Sequence, residues 1–167
     1  LGSELIKKSP KLIYCNLGAF GAVGPLRERP GYDPLMQAFG GLMSITGING
    51  MPPVRVGTSI IDMASGMWAV IGILAALQRR EHTGEGGRVD TSLYETALAW
   101  MTLPIAFYFA SGEVPGKHGS GSPIVCPYRS FEALDGPVMI AVGNDQLFAR
   151  FCEALEHPEW ATDDQFI

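Results

Sequence analysis

Charged side chains are scarce in this sequence, and the positive ones are not concentrated anywhere. Asp, Glu, Lys and Arg make up 17% of the 167 residues, hydrophobic residues make up 47%, and the formal net charge is −5. A protein that holds nucleic acid needs a basic stripe or patch against the phosphates. We therefore expect no nucleic-acid partner.

Cysteine and histidine are also few, with three of each. Cys15, Cys126 and Cys152 lie far apart, form no C-x-x-C pair and are odd in number, so they do not suggest a disulfide framework. This usage predicts a reducing cytoplasm as the location. No His, Cys or Asp spacing is typical of a metal site, and we expect no bound metal.

Two long, strongly apolar runs contain no charged residue, Met63–Leu77 and Thr96–Gly112. The first is shorter than the roughly 20 residues that span a bilayer, and the second contains Pro104. The chain begins without an apolar signal segment and without Met, so we expect no membrane association and a piece of a longer protein. The mean hydropathy of +0.16 predicts that a partner subunit, or further parts of the same chain, cover apolar surface.

The elements that are present alternate between strand and helix up to about Gly112. Leu12–Leu17 is predicted as a buried strand, and a glycine-rich loop follows it. Asp33 is the expected cap of a weak helix interrupted by glycines. The strongest helix prediction is Asp62–Arg80, with large apolar residues on one stripe and glycine and alanine on another face. A short strand at "RVDTSL" and an apolar helix broken near Pro104 follow.

The composition changes after this point. A Gly/Ser/Pro-rich stretch precedes a predicted hairpin with strands Tyr128–Ala133 and Val138–Val142, and then a helix for which Asp145 is the expected cap. We predict an α/β fold in three parts. These are part of a large α/β domain, a linker and the beginning of a small α+β domain, at residues 1–111, 112–127 and 128–167.

Asp62 is the one acidic residue in the apolar opening "VGTSIIDMASGMWAV". As an N-cap it would accept a backbone N–H and contribute about 1 kcal/mol to the helix, and from the residues alone this is the more common role. As a nucleophile it would attack an acyl carbon to form a mixed anhydride, with the N–H groups of the helix end keeping it ionised. Ser59 and Ser65 have no neighbouring base, so a serine nucleophile is not supported.

The loop that starts at Gly18, "GAFGAVGP", could bind a phosphate or a thioester oxygen through backbone N–H groups. It matches neither the G-x-x-x-x-G-K-[ST] nor the G-x-G-x-x-G pattern. A plain turn between strand and helix remains an alternative.

Four stretches in this order resemble the family III CoA-transferases, the group that includes formyl-CoA and carnitine-CoA transferases. They are "LIYCNLGAFGAVGPLRERPGYD", "GLMSITG", "PVRVGTSIIDMASGMWAVIGILAALQRREHTGEGGRVDTSL" and "VMIAVGNDQLFARFCEAL". The resemblance covers nearly the whole chain, and the Asp62 stretch is its most specific part.

The resemblance implies a reaction and a set of site residues. The aspartate at position 62 would take the acyl group from a CoA thioester as an anhydride, become an aspartyl–CoA thioester and pass CoA to an acceptor carboxylic acid. Acyl-CoA is then a substrate, and no permanently bound cofactor is implied. The implied active-site loops contain Gly18, Ala19, Phe20, Gly21, Gly119 and Gly121, the last two in a glycine-rich loop that covers the aspartate in some members.

A related branch, the α-methylacyl-CoA racemases, carries histidine followed by aspartate in the segment that reads "PGYD" here. This sequence has Tyr32 in the place of the histidine. Tyrosine is a poor proton shuttle near neutral pH, so this difference favours transfer over racemisation. The racemase-type isomerase and an inactive truncated chain remain the alternatives.

The resemblance also implies a Rossmann-like large domain and a homodimer of two interlocked subunits. Family members are more than twice as long as this chain. We therefore expect most CoA contacts to lie outside these residues, and the 167 residues alone to be inactive.

Overall fold

The computed structural model describes residues 2–166 and divides them into two compact units. The first comprises the chain up to Thr46 together with Pro52–Gly116. The second comprises Gly47–Met51 together with the chain from Lys117 onward. How the whole protein divides into domains, and whether residues 112–127 act as a linker in it, stay predictions.

The first unit mixes helices with a two-stranded parallel sheet, as the α/β prediction requires. Strand β1 pairs with β2 from Ile13 opposite Gly87 to Gly18 opposite Ser92. The chain between these strands forms three helices, because parallel neighbours need a long crossover. The elements in chain order are α1 Gly2–Lys8, β1 Ile13–Gly18, α2 Asp33–Phe39, α3 Leu42–Ile45, α4 Ile60–Thr83, β2 Gly87–Ser92, α5 Leu93–Trp100 and α6 Thr102–Ser111.

Most of these elements were predicted. The glycine pair at residues 40–41 separates α2 from α3, and α5 ends at Trp100 because Pro104 has no N–H to bond to its carbonyl. Helix α1 was not predicted, since its seven residues carry no apolar period.

Helix α4 packs on the sheet through its small residues. Ala64, Ser65 and Ala76 are buried. A Cβ on Gly72 would overlap the side chain of Val89 in β2, so glycine sets the distance between helix and strand here. The large residues of the predicted apolar stripe, by contrast, are largely exposed within this chain, including Met63, Met67, Val70, Ile71 and Leu74.

Helix α4 has 24 residues, with a mean hydropathy of 1.9 over its most apolar window. By length and composition alone it could cross a bilayer, so our expectation that its uncharged run is too short for this was wrong. Its charged last turn extends the helix beyond that run. The core helix of a soluble protein passes the same test, and α4 is the crossover helix that contacts both β1 and β2.

The core of the first unit lies under the beginning of α4. Ile61 and Met36 are completely buried, and α3 and α5 close the cluster around them. Burying side chains of this size contributes about 1.5–3 kcal/mol each. The members of the cluster are Met36, Leu42, Ile61, Leu93, Ala97 and Met101.

The second unit contains an antiparallel hairpin and a helix. Strand β3, Tyr128–Ala133, pairs with β4, Gly136–Ala141, across a two-residue turn. The second strand thus begins at Gly136 rather than at Val138 as predicted, because the φ of Gly136, 135°, lets the chain reverse within two residues. Helix α7, Asp145–Ala154, is followed by a 3₁₀ turn at Pro158–Thr162.

The cap of α7 differs from the prediction. The side chain of Asn144, not Asp145, accepts the N–H of Leu147 at 2.9 Å. Asn144 has extended backbone angles, which a cap residue needs, whereas Asp145 is already helical.

Candidate functional site

Asp62 is the third residue of α4 and its side chain is exposed. The first N–H groups of this helix have partners other than Asp62. Those of Ile60 and Met63 donate to the carbonyl oxygens of Thr58 and Ser59 at 2.9 and 3.0 Å. The helix end therefore needs nothing from the Asp62 carboxylate.

The remaining two N–H groups are capped by Asp33, a residue of α2. The carboxylate oxygen Oδ2 of Asp33 accepts the N–H of Ile61 at 2.7 Å and that of Asp62 at 3.3 Å. Asp33 is only 2% exposed. Ser59 occupies the N-cap position of α4, but its side chain makes no capping bond.

One of the two roles considered for Asp62 is thereby excluded, and the predicted role of Asp33 as a cap of α2 is wrong. Asp62 does not cap α4, because the N–H groups a cap would take are already bound to Asp33. Asp33 does not cap α2: Tyr32 occupies that position without a side-chain bond, and Asp33 is the first helical residue. The side chain of Asp33 points instead to the neighbouring helix.

Gln37 lies one turn after Asp33 on the same face of α2, and it is completely buried. Its Nε2 donates to Oδ1 of Asp33 at 2.5 Å, and its Oε1 accepts the N–H of Val56 at 2.8 Å. Asp33 and Gln37 therefore hold both the beginning of α4 and the segment that leads into it.

The pKa of Asp62 lies above its ordinary value of 3.8, first because of partial burial at the helix start and second because of the nearby negative charge of Asp33. The N–H groups that we expected to favour its ionised form are bound to Asp33 instead. The N–H groups and the positive end of the helix face Asp33 first, so its charge offsets them. A more basic carboxylate is a stronger nucleophile once it is ionised.

The loop after β1 lies against the core. Gly18 is the last residue of β1, and a Cβ placed on it would meet no atom within 4 Å. The carbonyl of Ala19 accepts the N–H of Tyr94 at 2.9 Å. The ring of Phe20 packs edge-on to Phe39, with 5.4 Å between centroids. Gly21 has a φ of 88°, and a Cβ there would lie 3.8 Å from Oγ of Ser92.

Gly31 connects this loop to the residues around Asp62. A Cβ on Gly31 would overlap the end of Met36 and lie 3.0 Å from Cβ of Ala19. Tyr32 follows it, 77% exposed, immediately before Asp33. Gly31 thus lies against the loop at Ala19, and Asp33, two residues later, is bonded to the backbone N–H of Asp62.

The other two predicted site residues, Gly119 and Gly121, belong to the second unit. The N–H of Gly119 donates to the carbonyl of Gly47, and that of Gly121 to the carbonyl of His118. This loop borders an open pocket of about 660 Å³. The residues that line it are Gly47, Ile48, Asn49, Lys117, His118, Gly119, Ser120 and Arg129.

Ser65, considered above as a serine nucleophile, is buried, and its hydroxyl donates to the carbonyl of Ile61. Within residues 2–166 no three His, Cys, Asp or Glu side chains are grouped to hold a metal ion.

Solved structures of the same fold are longer than this chain. A CAIB/BAIF family protein from Brucella suis superposes with a TM-score of 0.79 at 35% identity, over 98% of this chain and 43% of that one. A hypothetical protein from Mycobacterium tuberculosis, 24% identical, superposes with a TM-score of 0.82 over 98% of this chain and 43% of its own length, and shows the fold alone.

The sequence pattern of CoA-transferase family III matches residues 2–167, and the chain belongs to this family. An acetyl-CoA:oxalate CoA-transferase from Acetobacter aceti is 40% identical over 98% of this chain. A succinyl-CoA:mesaconate enzyme from Haloarcula hispanica is 38% identical over 97% of it, and a succinyl-CoA:glutarate enzyme from Mus musculus 36% identical over 99%. The chain spans 42%, 42% and 38% of these three relatives.

Proposed function

We propose that the whole protein transfers CoA from an acyl-CoA to a carboxylic acid, with Asp62 as the nucleophile. The observation that carries the proposal is the state of Asp62 within a family III chain. Its carboxylate is exposed, has a pKa raised by partial burial and by Asp33, and does not take the capping role that its position suggests.

The reaction proceeds by acyl and thiol exchange on one carboxylate. An oxygen of Asp62 attacks the thioester carbon, the C–S bond breaks and CoA leaves as a thiolate. The thiolate attacks the aspartyl carbonyl of the anhydride and releases the donor acid. The acceptor carboxylate then attacks the aspartyl thioester, whose C–S bond breaks to release CoA thiolate and leave a second anhydride. The thiolate attacks the acceptor's carbonyl in this anhydride, which gives the new acyl-CoA and frees the Asp62 carboxylate.

Backbone N–H groups of the Gly18–Gly21 loop are proposed to stabilise the oxyanions of these steps. Gly18 supports this role, because the space beside it is open to a ligand. The glycine loop around Gly119 and Gly121 is proposed as a second substrate contact of the whole protein. Tyr32, in the place of the racemase histidine, supports transfer over isomerisation.

The relatives' names suggest the acceptor class. Oxalate, mesaconate and glutarate each carry two carboxylates. We propose a dicarboxylic acid for this protein too, and a homodimer that works in the cytoplasm without a permanently bound cofactor. The odd number of cysteines supports the location, and the exposed apolar face of α4 supports the dimer.

Trapping and substitution test the proposal on the full-length protein. Incubation with acyl-CoA and then hydroxylamine should modify Asp62 and no other carboxylate, as read by peptide mass. Asp62→Asn should lower turnover by several orders of magnitude, because an amide cannot form the anhydride. Since Asp62 is not a cap, both Asp62→Asn and Asp62→Ala should change the free energy of unfolding by less than about 1 kcal/mol.

Near-normal transfer by Asp62→Asn, with deamidation excluded by mass, would contradict the mechanism. Enzyme-dependent exchange of deuterium into the α-position of a 2-methylacyl-CoA would move the assignment to the racemase branch.

A further inference from the structure

The beginning of α4 presents a problem for a reactive carboxylate. Aspartate at the third helical position normally turns back to the N–H groups of the helix start. A carboxylate held in that way has its lone pairs occupied and is a weaker nucleophile. Asp62 escapes this because the N–H groups of Ile61 and Asp62 are bound to Asp33.

A simpler local cap is present but not used. Ser59 occupies the N-cap position of α4, and serine is among the preferred cap residues, yet its hydroxyl makes no capping bond. Instead the N–H of Ile61 is bound by the buried carboxylate of Asp33, 28 residues away in sequence. Burying a charge is costly unless it is fully hydrogen-bonded. Helix stability alone does not require this arrangement.

The orientation of the Gln37 side-chain amide explains why position 33 carries a carboxylate. The N–H of Val56 can bond only to the carbonyl oxygen of the Gln37 side chain, so the amide NH₂ group must face Asp33. Position 33 then needs one acceptor toward Gln37 and another toward α4. A carboxylate offers both acceptors, whereas asparagine would set its own NH₂ group against that of Gln37.

We infer that Asp33 and Gln37 form a positioning relay that takes up the N–H groups at the start of α4 and so keeps the Asp62 carboxylate free to attack the acyl group. The inference rests on the proposed role of Asp62. Asp33 and Gln37 are both buried, so the role assigned to them is positioning and not contact with substrate.

The polarity of the relay allows a rescue experiment on the full-length protein. Asp33→Asn sets the NH₂ group of the introduced asparagine against a donor, either the NH₂ group of Gln37 or the N–H groups of α4. Gln37→Glu sets a carboxylate oxygen of the introduced glutamate against Oδ1 of Asp33, so that two acceptors face each other. The double variant Asp33→Asn/Gln37→Glu restores every bond. The introduced asparagine gives its oxygen to α4 and its NH₂ to the introduced glutamate, whose other oxygen accepts the N–H of Val56. The measurements are the rate of Asp62 acylation at saturating acyl-CoA, the KM for acyl-CoA and the free energy of unfolding.

We expect Asp33→Asn to lower the saturated acylation rate roughly 10- to 100-fold with KM nearly unchanged, because a small displacement of an attacking group has that effect. The double variant should recover most of the rate. Thr96→Val is the matched control. It removes the buried bonds of Thr96 to Ser65 and to the carbonyl of Ser92 on another side of α4, so it should lower stability without slowing acylation.

The outcomes separate the relay from the proposed function. If Asp62 of the wild-type protein is not modified, the proposed function is overturned, and this inference is overturned with it. Normal modification of the wild type together with a folded Asp33→Asn at the wild-type rate overturns the relay alone. If Asp33→Asn does not fold, the double variant decides: folded and fast supports the relay, folded and slow overturns it. If Thr96→Val lowers the rate of Asp62 acylation in proportion to its loss of stability, the relay is also overturned.

Discussion

At the residue scale, the environment of Asp62 sets the pH range in which it can react. Only the ionised carboxylate attacks a thioester, and partial burial together with Asp33 raises its pKa above the ordinary 3.8. As the pH falls through this raised pKa, the reactive form is lost earlier than for an ordinary aspartate.

We therefore predict an acid limb in the pH profile of Asp62 acylation with a midpoint above 3.8. The single-turnover rate of hydroxylamine-trapped modification, measured from neutral to acidic pH on the full-length protein, gives this midpoint. Circular dichroism at each pH serves as the control that the protein remains folded. A midpoint at or below the ordinary value would contradict the effect of burial and of Asp33.

At the scale of one element, two glycines of α4 have opposite surroundings. A Cβ on Gly66 meets nothing within 4 Å, whereas a Cβ on Gly72 overlaps Val89. Gly66→Ala should raise the free energy of unfolding by up to about 1 kcal/mol, because alanine loses less entropy in a helix. Gly72→Ala should lower it by about 1–3 kcal/mol, because the β-branched Val89 cannot move aside easily.

Urea unfolding of the two full-length variants measures this difference, and each variant is the other's control. Equal effects of the two substitutions would show that Gly72 does not set the distance between α4 and β2.

Sequence patterns were sufficient for elements whose signal is local. The apolar run at Leu12–Leu17 and the apolar helix from Asp62 onward gave β1 and α4 within a few residues. The role of Asp33 could not be read in this way. An Asp-Pro pair at a helix start looks like a local cap, and its true partners, Ile61 and Asp62, lie nearly 30 residues further along the chain. A weak signal was present: Asp33 and Gln37 are four residues apart, which places two polar groups beside the buried Met36 on one face of a short helix.

The glycines after β1 suggested a possible binding loop, but the assignment of this loop to an active site came from the resemblance and stays a prediction. Gly18 and Gly21 lie where a ligand could approach in a turn of this kind, but nothing in their spacing distinguishes a binding loop from a simple turn. Their neighbour Gly31 was not singled out, although its lack of a side chain lets Ala19 and Met36 approach each other.

At the scale of the whole molecule, the outer face of α4 is incomplete. Met63, Met67 and Leu74 are 64%, 65% and 59% exposed, too large an apolar surface for a stable folded protein to leave in water. In the full-length protein we expect this face to be covered by the partner subunit or by further parts of the same chain.

Leu74→Lys should therefore lower the free energy of unfolding of the full-length protein by more than about 2 kcal/mol, or reduce its molecular mass in solution, because it buries an unpaired charge. Leu134→Lys is the matched control, since Leu134 lies in the hairpin turn and is fully exposed. Light scattering and urea unfolding measure both. Equal, negligible effects of the two changes would show that the α4 face stays open.

The parallel pairing of β1 with β2 also has a consequence for the order of folding. Asn16 and Asp90, which bond across this sheet, are 74 residues apart in sequence. Closing so long a loop costs entropy before any ladder bond forms, whereas the β3–β4 hairpin closes over two residues. Pulse-labelled hydrogen exchange during refolding should show the amides of the hairpin protected before those of β1. The loop proposed to bind substrate, which begins where β1 ends, is then among the last parts of the chain to take its native shape.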